Sequence, residues 1–153
     1  MLMKDERFFK TIKNFLEIYL LKQKNYSKNT QKSYRESLSL LLQYFKEELG
    51  LGYAQIGFDD LTYTNVCGFL DWLTVSRECS PQTVKLRLMA IRSFAKYSSI
   101  VDPAKVYFQV ELANVPVKKA HGKVVEFISL PALEALFLQP NTKKTTGFRD
   151  FCF

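Results

Sequence analysis

Glycine, proline and cysteine are scarce in this chain of 153 residues, at six, five and three respectively. So little glycine and proline excludes a collagen-like or low-complexity polymer. Histidine occurs once, as His121, and Cys67, Cys79 and Cys152 show no metal-ligand spacing, so neither a zinc site nor a disulfide scaffold is expected. Cys67 and Cys79 read as small buried hydrophobes in a reducing compartment. Apolar runs are broken by Lys, Glu or Gln before the ~20 residues a membrane helix needs. The start, Met1 to Arg7, has no apolar signal core. A cytoplasmic protein with no membrane partner is the expectation. Signals of catalysis are missing as well. There is no Gly-rich phosphate loop and no Gly-x-Ser-x-Gly elbow, so no cofactor is expected. Asp59-Asp60 reads as a turn, His121 as a phosphate contact or solvated loop residue, and the eight tyrosines mainly as core.

What is present is an ordinary globular balance, 47% hydrophobic and 24% charged, which disorder does not produce. A chain of this length can bury roughly 68–70% of its extended surface. The formal net charge is +7, and it is unevenly spread. Lys22, Lys24, Lys28, Lys32 and Arg35 form one basic block, and Lys85, Arg87, Arg92 and Lys96 a second. Between them lie Glu36, Glu47, Glu48, Asp59, Asp60, Asp71 and Glu78 against Lys46 and Arg77. A polyanion is the simplest partner for two such blocks. Solvated helix faces would give the same pattern.

Periodicity predicts helices throughout. The first covers about Asp5 to Lys24, with Phe8, Ile12, Phe15, Leu16, Tyr19 and Leu20 as its stripe. The second covers about Asn29 to Leu49, with Asn29 as its cap and Tyr34, Leu38, Leu41, Phe45 and Leu49 as its core row. Lys28, Lys32, Arg35 and Ser39 fall together on its opposite face, and Gly50 and Gly52 end it. Thr62 caps a third helix carrying Val66, Phe69, Leu70 and Leu73, with Trp72 at the stripe's edge. Ser80-Pro81 opens a fourth that runs to about Ser98. There Val84, Leu88, Ile91 and Ala95 form one apolar row, and Thr83, Ala90, Phe94 and Tyr97 a second. So wide an arc predicts a central helix whose exposed remainder holds Lys85, Arg92 and Lys96. Arg87 lies between the rows, either reaching outward or paired with a carboxylate, because an unpaired charge there would be costly. Asp102-Pro103 opens a short helix through Phe108. A basic linker surrounds Lys118, Lys119 and His121, a further helix starts at Ser129 and ends near Pro140, and Thr145 to Phe153 reads as the start of one more. An apolar end without a stop signal is expected of a truncated chain.

Helices bearing Lys28, Lys32 and Arg35, or Lys85, Arg92 and Lys96, suit the major groove of B-form DNA, whereas the A-form RNA groove is too narrow. Thr30 and Thr83 lie in first turns, where backbone amides also take phosphate.

Ser27-x-Asn29-Thr30 with Tyr34-Arg35-x-x-Leu38, and Leu61-Thr62 with Val66, Phe69-Leu70 and Leu73, resemble the tyrosine recombinases, or phage integrases. The most specific segment is Ser80-x-x-Thr83-x-x-x-Arg87-Leu88-x-x-Ile91-Arg92-Ser93-Phe94. Asp102-Pro103 stands where that family commonly has Asn-Pro, and Phe127-Ile128-Ser129 to Leu136 with Gly147-Phe148-Arg149-Asp150 is similar to the start of its catalytic domain. Ala132 replaces a frequent Glu, removing a capping box. The resemblance implies an all-α fold. A four-to-five-helix orthogonal bundle, the SAM-like core-binding domain, would span 1–110, with a linker at 111–126 and the start of a truncated catalytic domain at 127–153. It implies that the second and fourth helices face duplex DNA, with Lys28, Asn29, Thr30, Lys32, Arg35, Thr83, Lys85, Arg87, Arg92 and Lys96 as contacts. It also implies other recombinase subunits as partners, a nucleoid location, and catalytic residues that all lie beyond Phe153. Arg149 is not the family's catalytic arginine. A helical transcription regulator that never cuts DNA and a helical protein-interaction module are the rival readings.

Overall fold

The computed structural model describes residues 5–116 and 129–137. Its elements are α-helical or short 3-10 and π segments, with no strand among the described residues, so the fold is all-α as the periodicity requires. The chain divides into a first unit, Met1–Ala120, and a second, His121–Phe153.

In the first unit, α1 spans Glu6–Asn14, and the Asp5 carboxylate caps it by accepting the Phe8 N–H at 3.1 Å. The single helix expected from Asp5 to Lys24 is not one α-helix. Beyond Asn14 the chain widens into a π-helical segment, Phe15–Gln23, closed by the Lys24 N–H on the Tyr19 carbonyl at 2.9 Å. The spacing of the core residues supplies the reason. Phe15 and Leu20 are five apart and both fully buried. At about 100° per residue an α-helix would splay them by about 140°, whereas i→i+5 winding brings them toward one side.

Helix α2 spans Lys28–Glu48. Its cap is Ser27, whose hydroxyl accepts the Thr30 N–H at 3.2 Å, and this corrects the expectation for Asn29. Ser27 keeps the extended backbone of a capping residue, and Asn29 already lies inside the first turn. Leu49 also departs from its expected place in the core row. It follows the helix end and is 39% exposed. Gly50 then adopts φ +65°, the left-handed geometry that ends helices at glycine. Two 3-10 turns, Tyr53–Gln55 and Phe58–Asp60, carry Ile56, Phe58 and Leu61 into the core. The Asp60 carboxylate accepts the Gly57 N–H at 2.8 Å, so Asp60 serves the turn.

Thr62 caps α3, Tyr63–Val75, by accepting the Asn65 N–H at 3.2 Å. Ser80 caps α4, Pro81–Val101, which runs past the expected end at Ser98. Both apolar rows of α4 are buried except Thr83, which is half-buried. Helix α4 is central: α2, α3 and α5 all pack on it. Its Phe94 ring lies 5.5 Å from Phe15, 6.0 Å from Phe8 and 6.2 Å from Phe58. Asp102 caps a 3-10 turn, Pro103–Lys105, and α5 follows as Val106–Ala113, longer than the helix expected to stop at Phe108. Phe108, Leu112 and Val115 close the core.

In the second unit, α6 spans Leu130–Phe137, with the Ser129 carbonyl accepting the Leu133 N–H at 2.9 Å. The linker around His121, the chain end at Thr145–Phe153, Arg149 and Cys152 lie outside the described residues.

Candidate nucleic-acid interface

The start of α2 and the first half of α4 lie side by side because Arg87 ties them together. Its guanidinium donates to the Ser33 carbonyl at 3.0 Å, to the Ser37 hydroxyl at 3.2 Å and to the Glu36 carboxylate at 3.2 Å. Only 15% of its side chain is exposed, against 45% for Glu36. Of the two options the sequence left for Arg87, pairing with a carboxylate is the one realised. Its Nε is buried and has no hydrogen-bond partner among the described residues, so the side chain is fixed by its two terminal nitrogens.

Alongside this tie, Asn29, Thr30, Ser33 and Tyr34 of α2 face Leu86 and Met89 of α4 across an open groove of about 330 Å³. Both helices expose cations, although none of them lines the groove and Lys96 borders a separate hollow with Arg92, Gln109 and Ala113. On α2, Lys28, Lys32 and Arg35 are exposed on the row next to Asn29 and Ser33. Lys32 is 77% exposed, with its Nζ 4.0 Å from Glu36. On α4, Lys85 and Lys96 are exposed, with Met89 between them and Leu86 on the helical projection. Thr30 and Thr83 are half-buried, and their hydroxyls share hydrogen bonds with the capping hydroxyls of Ser27 at 2.9 Å and Ser80 at 3.0 Å. They strengthen caps more than they present themselves outward.

Arg92 is the clear departure from the expected exposed row. Its Nε donates to the Leu112 carbonyl at 3.0 Å, and its Nη2 to the carbonyls of Ala113, at 2.9 Å, and Val115. The side chain neutralises the negative end of α5, where a cation is favoured by the helix dipole. On the other flank of α4, Lys85 borders an apolar hollow with Cys67, Leu70, Asp71 and Leu88. The two basic helices are therefore brought together at the groove, while Arg87 and Arg92 are engaged by the fold.

Sequence reasoning missed Ser33, Ser37 and Leu86. Leu86 carried a usable signal, being an apolar residue off both apolar rows, and it is 52% exposed. The serines gave none, because their role depends on Arg87 reaching them from fifty or more positions away. The tyrosines correct the expectation of core. Tyr44 and Tyr97 are buried and Tyr19 and Tyr34 half-buried, but Tyr26, Tyr53, Tyr63 and Tyr107 are exposed. Burial pushes the hydroxyls of Tyr44 and Tyr97 above their ordinary pKa of 10.0, and a hydrogen bond with Cys67 does the same to Tyr63. These shifts oppose formation of the phenolate. Among the described residues no group of His, Cys, Asp or Glu is arranged to hold a metal, and no helix is long and apolar enough to cross a membrane.

A helical bundle with paired basic helices agrees with what comparison with known proteins finds. Residues 10–102 match the family described as phage integrase, N-terminal SAM-like domain, and the chain belongs to that family. Two relatives come from Sinorhizobium fredii (strain NBRC 101917 / NGR234). "Putative integrase/recombinase y4rD" is 30% identical over 93% of this chain and 50% of its own length. "Putative integrase/recombinase y4rC" is 27% identical over 93% of this chain and 43% of its own length. The chain thus spans about half the length of these curated relatives or less. No solved structure matches it.

Proposed function

We propose that the first unit grips duplex DNA and serves as the DNA-holding part of a site-specific tyrosine recombinase. The observation that carries this reading is two helices packed on each other that both expose cations, Lys28, Lys32 and Arg35 on α2 and Lys85 and Lys96 on α4. Lys28, Lys32 and Arg35 engage phosphates from one side, and Lys85 and Lys96 from the other. The first-turn amide of Asn29 adds a backbone donor, whereas those of Thr30 and Thr83 are taken by the capping hydroxyls of Ser27 and Ser80. Arg87 and Arg92 act as positioning residues, the first setting the distance between the two helices. On this reading the binding domain covers 1–110, a basic linker 111–126 and the start of a catalytic domain 127–153. Strand cutting and rejoining belong to residues outside the 153, in a larger assembly with other recombinase subunits on the bacterial nucleoid in the cytoplasm.

Titrating a labelled duplex at several salt concentrations tests the reading. Neutralising about five phosphates gives log K against log salt a slope of about −4 to −5. A supercoiled plasmid incubated with the protein stays intact, with no covalent adduct. Binding that does not respond to salt overturns the grip on DNA. A phosphotyrosine adduct overturns the assignment of chemistry to residues outside this chain.

A further inference from the structure

Between α4 and α5 lies an open hollow of about 210 Å³, lined by Arg92, Lys96, Gln109 and Ala113. Arg92 and Lys96 stand one turn apart on α4, and Gln109 and Ala113 one turn apart on α5. The short side chain of Ala113 leaves the space between the two helices open. No carboxylate lines this hollow. Two other hollows with cations in their walls do hold carboxylates, Asp71 in one and Asp5 with Asp102 in the other.

The donors around the hollow are unengaged. Lys96 is exposed and its ammonium makes no ion pair among the described residues. The Gln109 Oε1 accepts the Ser99 hydroxyl at 2.6 Å, which leaves Nε2 as the free end of the amide. Arg92 turns the edge that carries Nε and Nη2 toward the carbonyls of Leu112, Ala113 and Val115, so those acceptors are already satisfied. Its third nitrogen, Nη1, lies on the opposite edge of the planar group and has no hydrogen-bond partner among the described residues. Arg87 Nε is the one buried side-chain nitrogen or oxygen without a partner among those residues, so Arg92 Nη1 reaches the surface. A guanidinium already immobilised by the fold loses no further rotamer freedom when it takes a ligand.

We propose that this hollow seats one backbone phosphate of duplex DNA, with Lys96 Nζ, Gln109 Nε2 and Arg92 Nη1 as its donors. Charged and neutral N–H groups arriving from two helices match the oxygens of a phosphate diester. The rest of α4 selects the duplex as the source of that phosphate. Lys85 lies eleven positions before Lys96, which puts the two about 20° apart around the helix and about 16 Å apart along it. They face the same partner, and a partner that presents anions repeatedly over such a length is a nucleic-acid backbone. Phosphates stand on the outside of a duplex, so a shallow, open hollow reaches them without entering a groove. This inference rests on the DNA-gripping function, and it adds to the contact surface a helix, α5, that carries no cation.

The test titrates the full chain with a labelled duplex of mixed sequence at several salt concentrations. Gln109→Ala is expected to weaken binding about threefold to tenfold. The salt slope stays unchanged, because a neutral amide displaces no counterion. Lys96→Ala makes the slope shallower by about 1. Since both side chains hold one phosphate, the loss in the Gln109→Ala, Lys96→Ala double variant falls short of the product of the single losses, whereas those of Gln109→Ala and Lys85→Ala multiply. Gln109→Glu keeps the size of the side chain and the acceptor for Ser99 while placing a carboxylate in the seat, and it weakens binding more than Gln109→Ala does. Gln109 is half-buried and Lys96 exposed, so melting curves stay close to wild type; if Gln109→Ala melts early, the isosteric Gln109→Glu carries the test. Wild-type affinity in both Gln109 variants with a normal slope overturns the seat and leaves the grip standing. Losses at Gln109 and Lys96 that multiply overturn the shared phosphate. Absence of salt-dependent binding to the duplex overturns both the seat and the grip.

Discussion

The cations of α4 fall into two groups that sequence position does not distinguish. Lys85 and Lys96 extend into solvent, whereas Arg87 and Arg92 are spent inside the molecule, the first on α2 and the second on the end of α5. All four lie within a dozen positions on one helix. The difference is in the donors. A guanidinium offers several N–H groups in a fixed plane and can satisfy two or three carbonyls at once, which a point-charge ammonium does less well. Arginine here builds the frame and lysine decorates it, so a count of basic residues overstates the charge available to a ligand.

Five variants and one control sharpen or break that contrast. Arg87→Ala removes the link between α4 and α2 and should cost about 2–4 kcal/mol in a denaturant melt, since hydrogen bonds to a buried charge are among the stronger ones. A loss under 0.5 kcal/mol would place Arg87 with the solvent-facing lysines. Gly68→Ala comes next. The Tyr44 hydroxyl occupies the space a Cβ would need, and Tyr44 is held against Phe69 and Trp72 with ring centroids 5.8 Å away. The strain should cost about 1–3 kcal/mol without altering the salt dependence of DNA binding, because no cation is touched. Arg92→Ala should cost about 1–2 kcal/mol through the uncovered carbonyls of Leu112, Ala113 and Val115. Hydrogen exchange should show the loss concentrated in α5. The smallest change in stability belongs to Lys32→Ala and Lys85→Ala, within about ±0.5 kcal/mol. Each should make the salt slope for DNA shallower by about 1, with Lys10→Ala, an exposed cation on neither α2 nor α4, as the control. An equal effect from Lys10→Ala would reduce the interface to net charge.

Much of the frame was readable in the sequence. Ser80-Pro81 and Thr62 announced the starts of α4 and α3 by local chemistry alone, and the two apolar rows of α4 announced a central helix. Features set by distant partners were hidden. Arg92 looked exposed because its carbonyl acceptors arrive on a segment twenty residues later. Ser27 and Asn29 are both good capping residues, and only the backbone angle at Ser27 decides between them. The π-helical winding was invisible because Phe15, Leu16, Tyr19 and Leu20 fit a three- and four-residue period well enough. The demand that Phe15 and Leu20 share one side comes from the core around Phe94. Within the interface, the exposed cations of α2 and α4 were legible as charge, but the groove between the two helices depends on their meeting.

The π-helical segment also sets where the chain can tolerate a change in length. A π turn holds more residues than the α turn it replaces. Deleting one residue between Phe15 and Leu20 would bring them to i→i+4 spacing, which an ordinary α-helix satisfies. Winding would change locally and the burial pattern on either side would survive. Helix α4 has no such slack. A single residue inserted between Leu86 and Phe94 would turn everything after it by about 100°, carrying Phe94 out of the core and Lys96 off its exposed face. The first helical region behaves as an adjustable joint, and α4 as a ruler whose marks cannot move.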